Sequence, residues 1–313
     1  PYTTLFRSEH MSSILELHNI SKNYDSQIVL DNLSLTINKG DIYGLIGRNG
    51  SGKTTLIRII TGLAFAKNGT IKLFGIDSKE KNSDIAKKKM SAIVESPALN
   101  NELTGYQNMI LQAKLLNVDK NKIDEYLKLV RLYNIASTKK KVKNYSLGMR
   151  QRLSIAVSLL SNPEFLILDE PANGLDPEGI KEIRDIINDL HKNNVTVLIS
   201  SHLLDELAKV ATKFGILNKG KIIQEITKEE LENKEKPLQI LSLSKVEGIE
   251  EILNSLGIEK YKLLSNNRLV IPMQESISPI INALEQKEIN VMSIEEKKRT
   301  IEEYFLKLIG GEK

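Results

Sequence analysis

Cysteine is absent from this chain of 313 residues, which excludes disulfides and thiolate-held metals and suits a cytoplasmic protein. Also missing is any apolar run near the roughly 20 residues that a membrane-crossing helix needs. The chain is therefore not expected to span a bilayer by itself. Nor does charge of one sign dominate: the net charge of +4 comes from 44 Lys and Arg against 40 Asp and Glu, spread through Lys/Glu-rich segments. Such a surface argues against nucleic acid as a partner. Lys87-Lys88-Lys89 and Lys139-Lys140-Lys141 read as solvated faces rather than binding patches. No heptad repeat is sustained, which excludes a long coiled coil. What remains is ordinary for a globular protein, 41% apolar and 27% charged, and the length suits one full-sized domain plus a smaller one. The opening PYTTLFRS resembles the in-frame translation of a sequencing-library adapter, and the first methionine is Met11. Residues 1–10 are expected to be a non-native leader and lack the charged-then-apolar layout of a signal peptide.

The stretch with the most chemistry is GRNGSGKT at residues 47–54, between the apolar run DIYGLI and the helical pattern TLIRIIT. It fits G-x-x-x-x-G-K-[ST] at every fixed position. A strand that ends in glycines and opens a helix aims successive backbone N–H groups at one point, where the helix N-terminus adds positive potential. Gly47, Gly50 and Gly52 allow the tight loop, Lys53 would reach the β- and γ-phosphates, and Thr54 would offer a hydroxyl to Mg²⁺. Nucleotide contacts are expected from Gly47, Arg48, Asn49, Gly50, Ser51, Gly52, Lys53, Thr54 and Thr55. The competing reading, a glycine-rich turn before an ordinary helix, leaves the Gly-Lys-Thr end unexplained.

Around this loop the pattern is α/β. ILELHNISKNY and IVLDNLSLTIN alternate like two strands about the turn Asp25-Ser26-Gln27, and Lys39-Gly40 turns into the loop's strand. After the loop's helix come a turn at Asn68-Gly69, a strand TIKLFG, a Lys-rich polar stretch and a strand SAIVE closed by Ser96-Pro97. Residues 104–138 turn to helical spacing. FLILDE and VTVLISS then read as strands buried on both faces. At their carboxyl ends, where open α/β sheets place ligands, stand Asp169, Glu170 and His202. Asp169 suits Mg²⁺, Glu170 the activation of water, and His202 a hydrogen bond to a γ-phosphate oxygen. The bland alternatives are helix-capping acids and a structural histidine.

The order GRNGSGKT, YSLGMRQR, FLILDE, NGLD and SSHLLDE resembles the nucleotide-binding subunit of an ATP-binding cassette (ABC) transporter, over residues 14 to about 226. The resemblance implies a P-loop NTPase of ABC type, with a mixed sheet core over 12–230 and a helical subdomain at about 97–163. ATP and Mg²⁺ are the implied cofactors, with an integral membrane permease and a second, head-to-tail copy of the chain as partners. Its implied place is cytoplasmic, peripheral on the inner face of the membrane. YSLGM stands where the family has LSGGQ: Ser146 and Gly148 keep the pattern while Tyr145, Leu147 and Met149 depart from it. By the same resemblance Tyr24 would stack on adenine, though a half-buried strand tyrosine fits as well, and Asp176 would lie in the loop coupling two ATP sites. Glu95 stands where the family carries a Mg²⁺-contacting glutamine, and a carboxylate there is a further candidate metal ligand that cannot donate a hydrogen bond at neutral pH. Glu95, YSLGM and a separate C-terminal extension together resemble the subgroup for export of, or immunity to, lantibiotics, bacitracin and similar peptide antibiotics. The rivals are an exporter subunit with other cargo and a soluble ABC-type ATPase acting on ribosomes or nucleic acid; the latter generally resembles two fused cassettes, and one phosphate loop stands here.

Beyond TKEELENKEKP, which carries a capping-box pattern at Thr227 and Glu230, residues 238–313 read as a small accessory α+β domain. The expected elements are a strand LQILSLS, a helix, a hairpin about Asn266-Asn267, a second helix, a strand INVMSI and a closing helix TIEEYFLKLIG.

Overall fold

Strands that are apolar throughout end up at the centre of a sheet, and those that alternate end up with one face to solvent. The computed structural model describes residues 12–95, 99–234, 237–274, 276–297, 304–305 and 308, and the chain divides into two units between Lys228 and Glu229. The first unit opens with β1 (Ser13–Tyr24) and β2 (Gln27–Asn38), then β3 (Ile42–Ile46) and α1 (Lys53–Ile60). Next come β4 (Asn68–Leu73), β5 (Ile76–Asp77), the short α2 (Ser83–Lys87) and β6 (Met90–Ile93). The helical segment supplies α3 (Gly105–Leu116), α4 (Ile123–Leu129), α5 (Tyr133–Ala136) and α6 (Leu147–Leu159). The chain then returns to the sheet through β7 (Phe165–Asp169), α7 (Pro177–Lys192), β8 (Thr196–Ser201), α8 (Leu204–Ala208), β9 (Lys213–Asn218) and β10 (Lys221–Thr227), and α9 (Lys228–Lys234) begins at the division between the units.

Six strands form one sheet in the order β10-β9-β3-β8-β7-β6, parallel except for the edge strand β10. Its inner strands β3, β7 and β8 are buried at every residue. An antiparallel sheet of order β2-β1-β4-β5 stands against it. Leu15, Leu17, Leu35 and Ile37 of that sheet share one core with Leu56 and Ile57 of α1 and with Leu45, Phe165 and Ile167. The helix after the phosphate loop is thus fixed by apolar packing along its length, which holds the loop at its N-terminus steady. On α7, Ile183, Ile186, Ile187 and Leu190 fall at helical spacing and are buried.

Two local expectations fail. Asn68-Gly69 is not a turn: both residues belong to β4, and Gly69 (φ 103) faces Asn19 and Ile20 where β1 carries an extra residue. A Cβ at Gly69 would lie 2.6 Å from the His18 carbonyl oxygen, so this glycine serves a β-bulge rather than a loop. Gly69→Ala is expected to destabilise the first unit by about 2 kcal/mol or more, read as a lower urea midpoint of its unfolding. Gln27, likewise, begins β2 instead of closing the turn.

The second unit is built from β11 (Leu238–Leu243), α10 (Ile249–Ser255), β12 (Lys262–Leu264), β13 (Arg268–Pro272), α11 (Ser278–Glu285) and β14 (Val291–Lys297). The antiparallel order is β12-β13-β11-β14. Ile249, Leu253 and Leu284 of the helices cover Leu241, Leu269 and Ile271. Asn266 and Asn267, at φ 64 and 54, make the expected hairpin turn. Ser96-Pro97, the leader and, apart from residues 304, 305 and 308, the closing helix lie outside the described residues.

Candidate functional site

The loop between β3 and α1 is shaped by three glycines. Gly50 and Gly52 take φ 79 and 111, and at Gly47 a Cβ would fall 2.3 Å from Ser51 Oγ. Gly52 is the N-cap of α1 and offers no side chain to its first N–H groups; no acid stands in the first turn. Those donors and the helix dipole therefore face the loop, the arrangement that takes an anion. Ser51 Oγ is buried and has no hydrogen-bond partner among the described residues, the kind of orphan polar atom that a ligand oxygen would satisfy.

Lys53 is only 6% exposed. Its ammonium donates to the carbonyl oxygens of Gly47 at 2.7 Å and Arg48 at 3.4 Å and lies 3.2 Å from Glu170 Oε1. Glu170 follows the last residue of β7 and takes φ 49, so its carboxylate turns over the loop instead of continuing the strand. Its other oxygen, Oε2, is 2.8 Å from His202 Nδ1. A carboxylate only accepts, so Nδ1 must carry the proton in this pair. With Nδ1–H committed to Glu170, donation to a phosphate needs a proton on Nε2 as well. Asp169 is almost fully buried, and Ser200 Oγ donates to its Oδ1.

These groups border a cleft of about 480 Å³ lined by Tyr24, Asn49, Gly50, Gly52, Lys53, Thr54, Thr55, Glu170 and His202. The structure therefore brings together the loop, the acid, the histidine and the tyrosine singled out from sequence. Gln27, Val29 and Asn173 line it too and were missed: Gln27 was read as a turn residue, and Asn173 stood in the NGLD motif without being singled out. Tyr24 is half exposed where it lines the cleft, with Lys22 Nζ 5.0 Å from its ring centroid, a cation–π contact.

Of the other residues expected at the site, Gly47, Arg48, Ser51, Asp169, Ser146, Gly148, Asp176 and Glu95 are not among the described residues lining this cleft. Ser146 Oγ accepts from Met149 N–H at 3.2 Å and caps α6, while Gly148 lies against Leu175. Asp176 Oδ1 accepts from Gly179 N–H at 2.9 Å and caps α7, with Pro177 in its first turn. Glu95, expected near the metal, is instead ion-paired with Arg58 of α1 and is more than half exposed. An arginine one turn into the loop's helix has claimed that carboxylate.

For Mg²⁺ the fit is of a particular kind. Among the described residues no cluster of three or more His, Cys, Asp or Glu could hold a metal ion. Thr54 in the cleft and Asp169 beneath it offer a hydroxyl and a carboxylate, which suits an ion that takes most of its remaining ligands from phosphates and water.

Comparison with known proteins agrees with this geometry. Residues 30–173 match the family described as ABC transporter. The chain is 38% identical over 305 residues to the bacitracin transport ATP-binding protein BcrA of Bacillus licheniformis, covering 96% of this chain and 99% of that one. It is 42% identical over 212 residues to the lantibiotic transport ATP-binding protein SrtF of Streptococcus pyogenes, covering 68% of this chain and 90% of the other. Among solved structures, the ADP conformation of an ATP-binding cassette of an ABC transporter superposes with a TM-score of 0.63 at 26% identity, over 71% of this chain and 94% of that one.

Proposed function

This chain belongs to the ATP-binding proteins of ABC transporters, and on that premise we propose that it hydrolyses Mg²⁺-bound ATP to drive a separate membrane permease that moves peptide antibiotics of the bacitracin or lantibiotic kind. The observation that carries the chemistry is Glu170, held between Lys53 and His202 at the lip of the phosphate loop. The cargo reading draws on the names of the relatives, bacitracin transport and lantibiotic transport proteins.

In this reading the loop N–H groups and Lys53 bind the β- and γ-phosphates, and Tyr24 stacks on the base. Glu170 takes a proton from water as the water oxygen bonds to the γ-phosphorus; the bond from that phosphorus to the bridging oxygen breaks, and ADP leaves with the electron pair. Mg²⁺, when bound by Thr54 and Asp169, would neutralise charge on the phosphate oxygens. His202 holds the Glu170 carboxylate in line through Nδ1, and a proton on Nε2 would let it donate to a γ-phosphate oxygen. Ser146 and Gly148 do not line their own cleft, and in this reading a second copy placed head to tail presents them to the ATP held by the first; Asp176 would sit at the same junction.

Among the described residues no helix is long and apolar enough to cross a membrane, so transport requires a membrane partner, and the chain would work from the inner face of the membrane. A groove of about 990 Å³ between β6, α3 and α6 offers a seat for it, lined by Leu63, Leu99, Leu115, Leu116 and Val118 among others. Leu63 and Leu115 are 68% and 72% exposed, and large exposed apolar side chains along one groove suit a docking surface. The test is affinity isolation of Glu170→Gln chain with ATP from membranes of cells expressing the neighbouring genes. A multi-spanning membrane protein is expected, and Leu115→Glu should reduce its recovery while ATP binding stays intact. Recovery of ribosomal proteins or nucleic acid instead would defeat the transporter reading.

A further inference from the structure

Glu170 is held at its backbone and at its carboxylate by one short stretch of chain, Ser200 to His202. β8 lies between β3 and β7 in the sheet, and Ser200 is level with Asp169 in the β7–β8 register. Ser200 is fully buried, in a strand whose preceding residues are Val197, Leu198 and Ile199. A hydroxyl there is costly unless bonded, and this one is bonded twice. Its O–H donates to Asp169 Oδ1, and its oxygen accepts from the Glu170 backbone N–H at 2.9 Å. Two residues further on, His202 meets the Glu170 carboxylate. His202 is the first residue past β8, so the end of β8 and the residue that follows it hold the backbone of Glu170 with one side chain and its carboxylate with the other. The backbone grip matters because Glu170 stands at φ 49, a left-handed conformation that a residue with a Cβ keeps only where its surroundings impose it.

We infer that Ser200 is a positioning residue of ATP hydrolysis: it fixes the turn that aims the Glu170 carboxylate at the attacking water and orients the Asp169 carboxylate beside it. The inference rests on the ATPase reading above. Ser200 touches neither nucleotide nor water and acts through the two acids. An apolar side chain in its place would leave the Glu170 N–H and one Asp169 oxygen unpaired in a buried setting, and the turn free to relax.

The experiment compares the wild-type full chain with Ser200→Ala and Ser200→Thr. Steady-state hydrolysis and the equilibrium binding of a fluorescent ATP analogue are measured separately. Ser200→Ala is expected to lower kcat by about 10- to 100-fold, the effect of displacing a general base by about an ångström, with KM and analogue affinity unchanged. Ser200→Thr keeps the hydroxyl and should return most of the lost kcat. Wild-type turnover in Ser200→Ala would overturn the inference. So would loss of analogue binding in step with kcat, which marks a structural role alone, or a Ser200→Thr chain that binds the analogue normally yet stays as slow as the alanine variant. A wild-type chain that binds the analogue but never turns over ATP would remove the ATPase reading itself, so the two failures are distinguishable.

Discussion

Glu170→Gln is expected to reduce steady-state ATP hydrolysis by about 100-fold or more, the contribution of a well-placed general base, while nucleotide binding and ATP-driven pairing of two copies persist. The substitution keeps the shape of the side chain and removes only the charge and the basic oxygen. Lys53 Nζ lies 3.2 Å from one Glu170 oxygen, and a carbamoyl oxygen can still accept there, so the loop stays in place. With the carboxylate gone, the Lys53 ammonium faces the phosphates without a competing anion, and ATP should bind at least as tightly as before. Phosphate release and gel filtration with ATP, run side by side, separate the two effects: a silent assay together with a shift to the dimer position. Turnover at the wild-type rate would show that the proton of the attacking water goes elsewhere.

Lys53→Met should have the opposite profile, with ATP binding itself weakened by about 100-fold, roughly 3 kcal/mol, the scale of a charge-assisted hydrogen bond that is shielded from water. Methionine nearly matches the volume of lysine in a site that is only 6% exposed, so the packing of α1 should survive. The losses are the donation to the Gly47 carbonyl at 2.7 Å and the cation beside Glu170. Equilibrium dialysis with labelled ATP reads the binding, and an unchanged unfolding temperature shows that the fold is intact. Binding close to wild type would mean that the loop N–H groups and the helix dipole carry the phosphates without the ammonium. Taken together, the two variants divide the site into a part that holds the nucleotide and a part that consumes it.

The reading of residues 47–54 needed nothing beyond the sequence, because a phosphate loop is made by consecutive residues whose backbone freedom is set by glycine. The apolar runs FLIL of β7 and VLI of β8 were legible for a similar reason: strands covered on both faces read as near-continuous apolar stretches. Glycine at 69 shows the limit of that method. In isolation Asn-Gly signals a turn, and only the arrival of β1 beside it, with its extra residue, makes it a bulge. Glu95 shows the same limit in charge. The family resemblance suggests a metal ligand there, and only the fold shows that Arg58, 37 positions earlier, stands beside its carboxylate.

What the sequence by itself determined is thus the local machinery: the loop, the order of buried strands, and the residue types available for phosphate chemistry. What only the tertiary structure decided is who meets whom. Glu170 and His202 are 32 positions apart and Ser200 and Asp169 are 31 apart, and they converge because β7 and β8 lie side by side in a parallel sheet. Pairing of that kind depends on hydrogen bonds between distant strands and on apolar faces buried in common, and neither leaves a local mark in the chain.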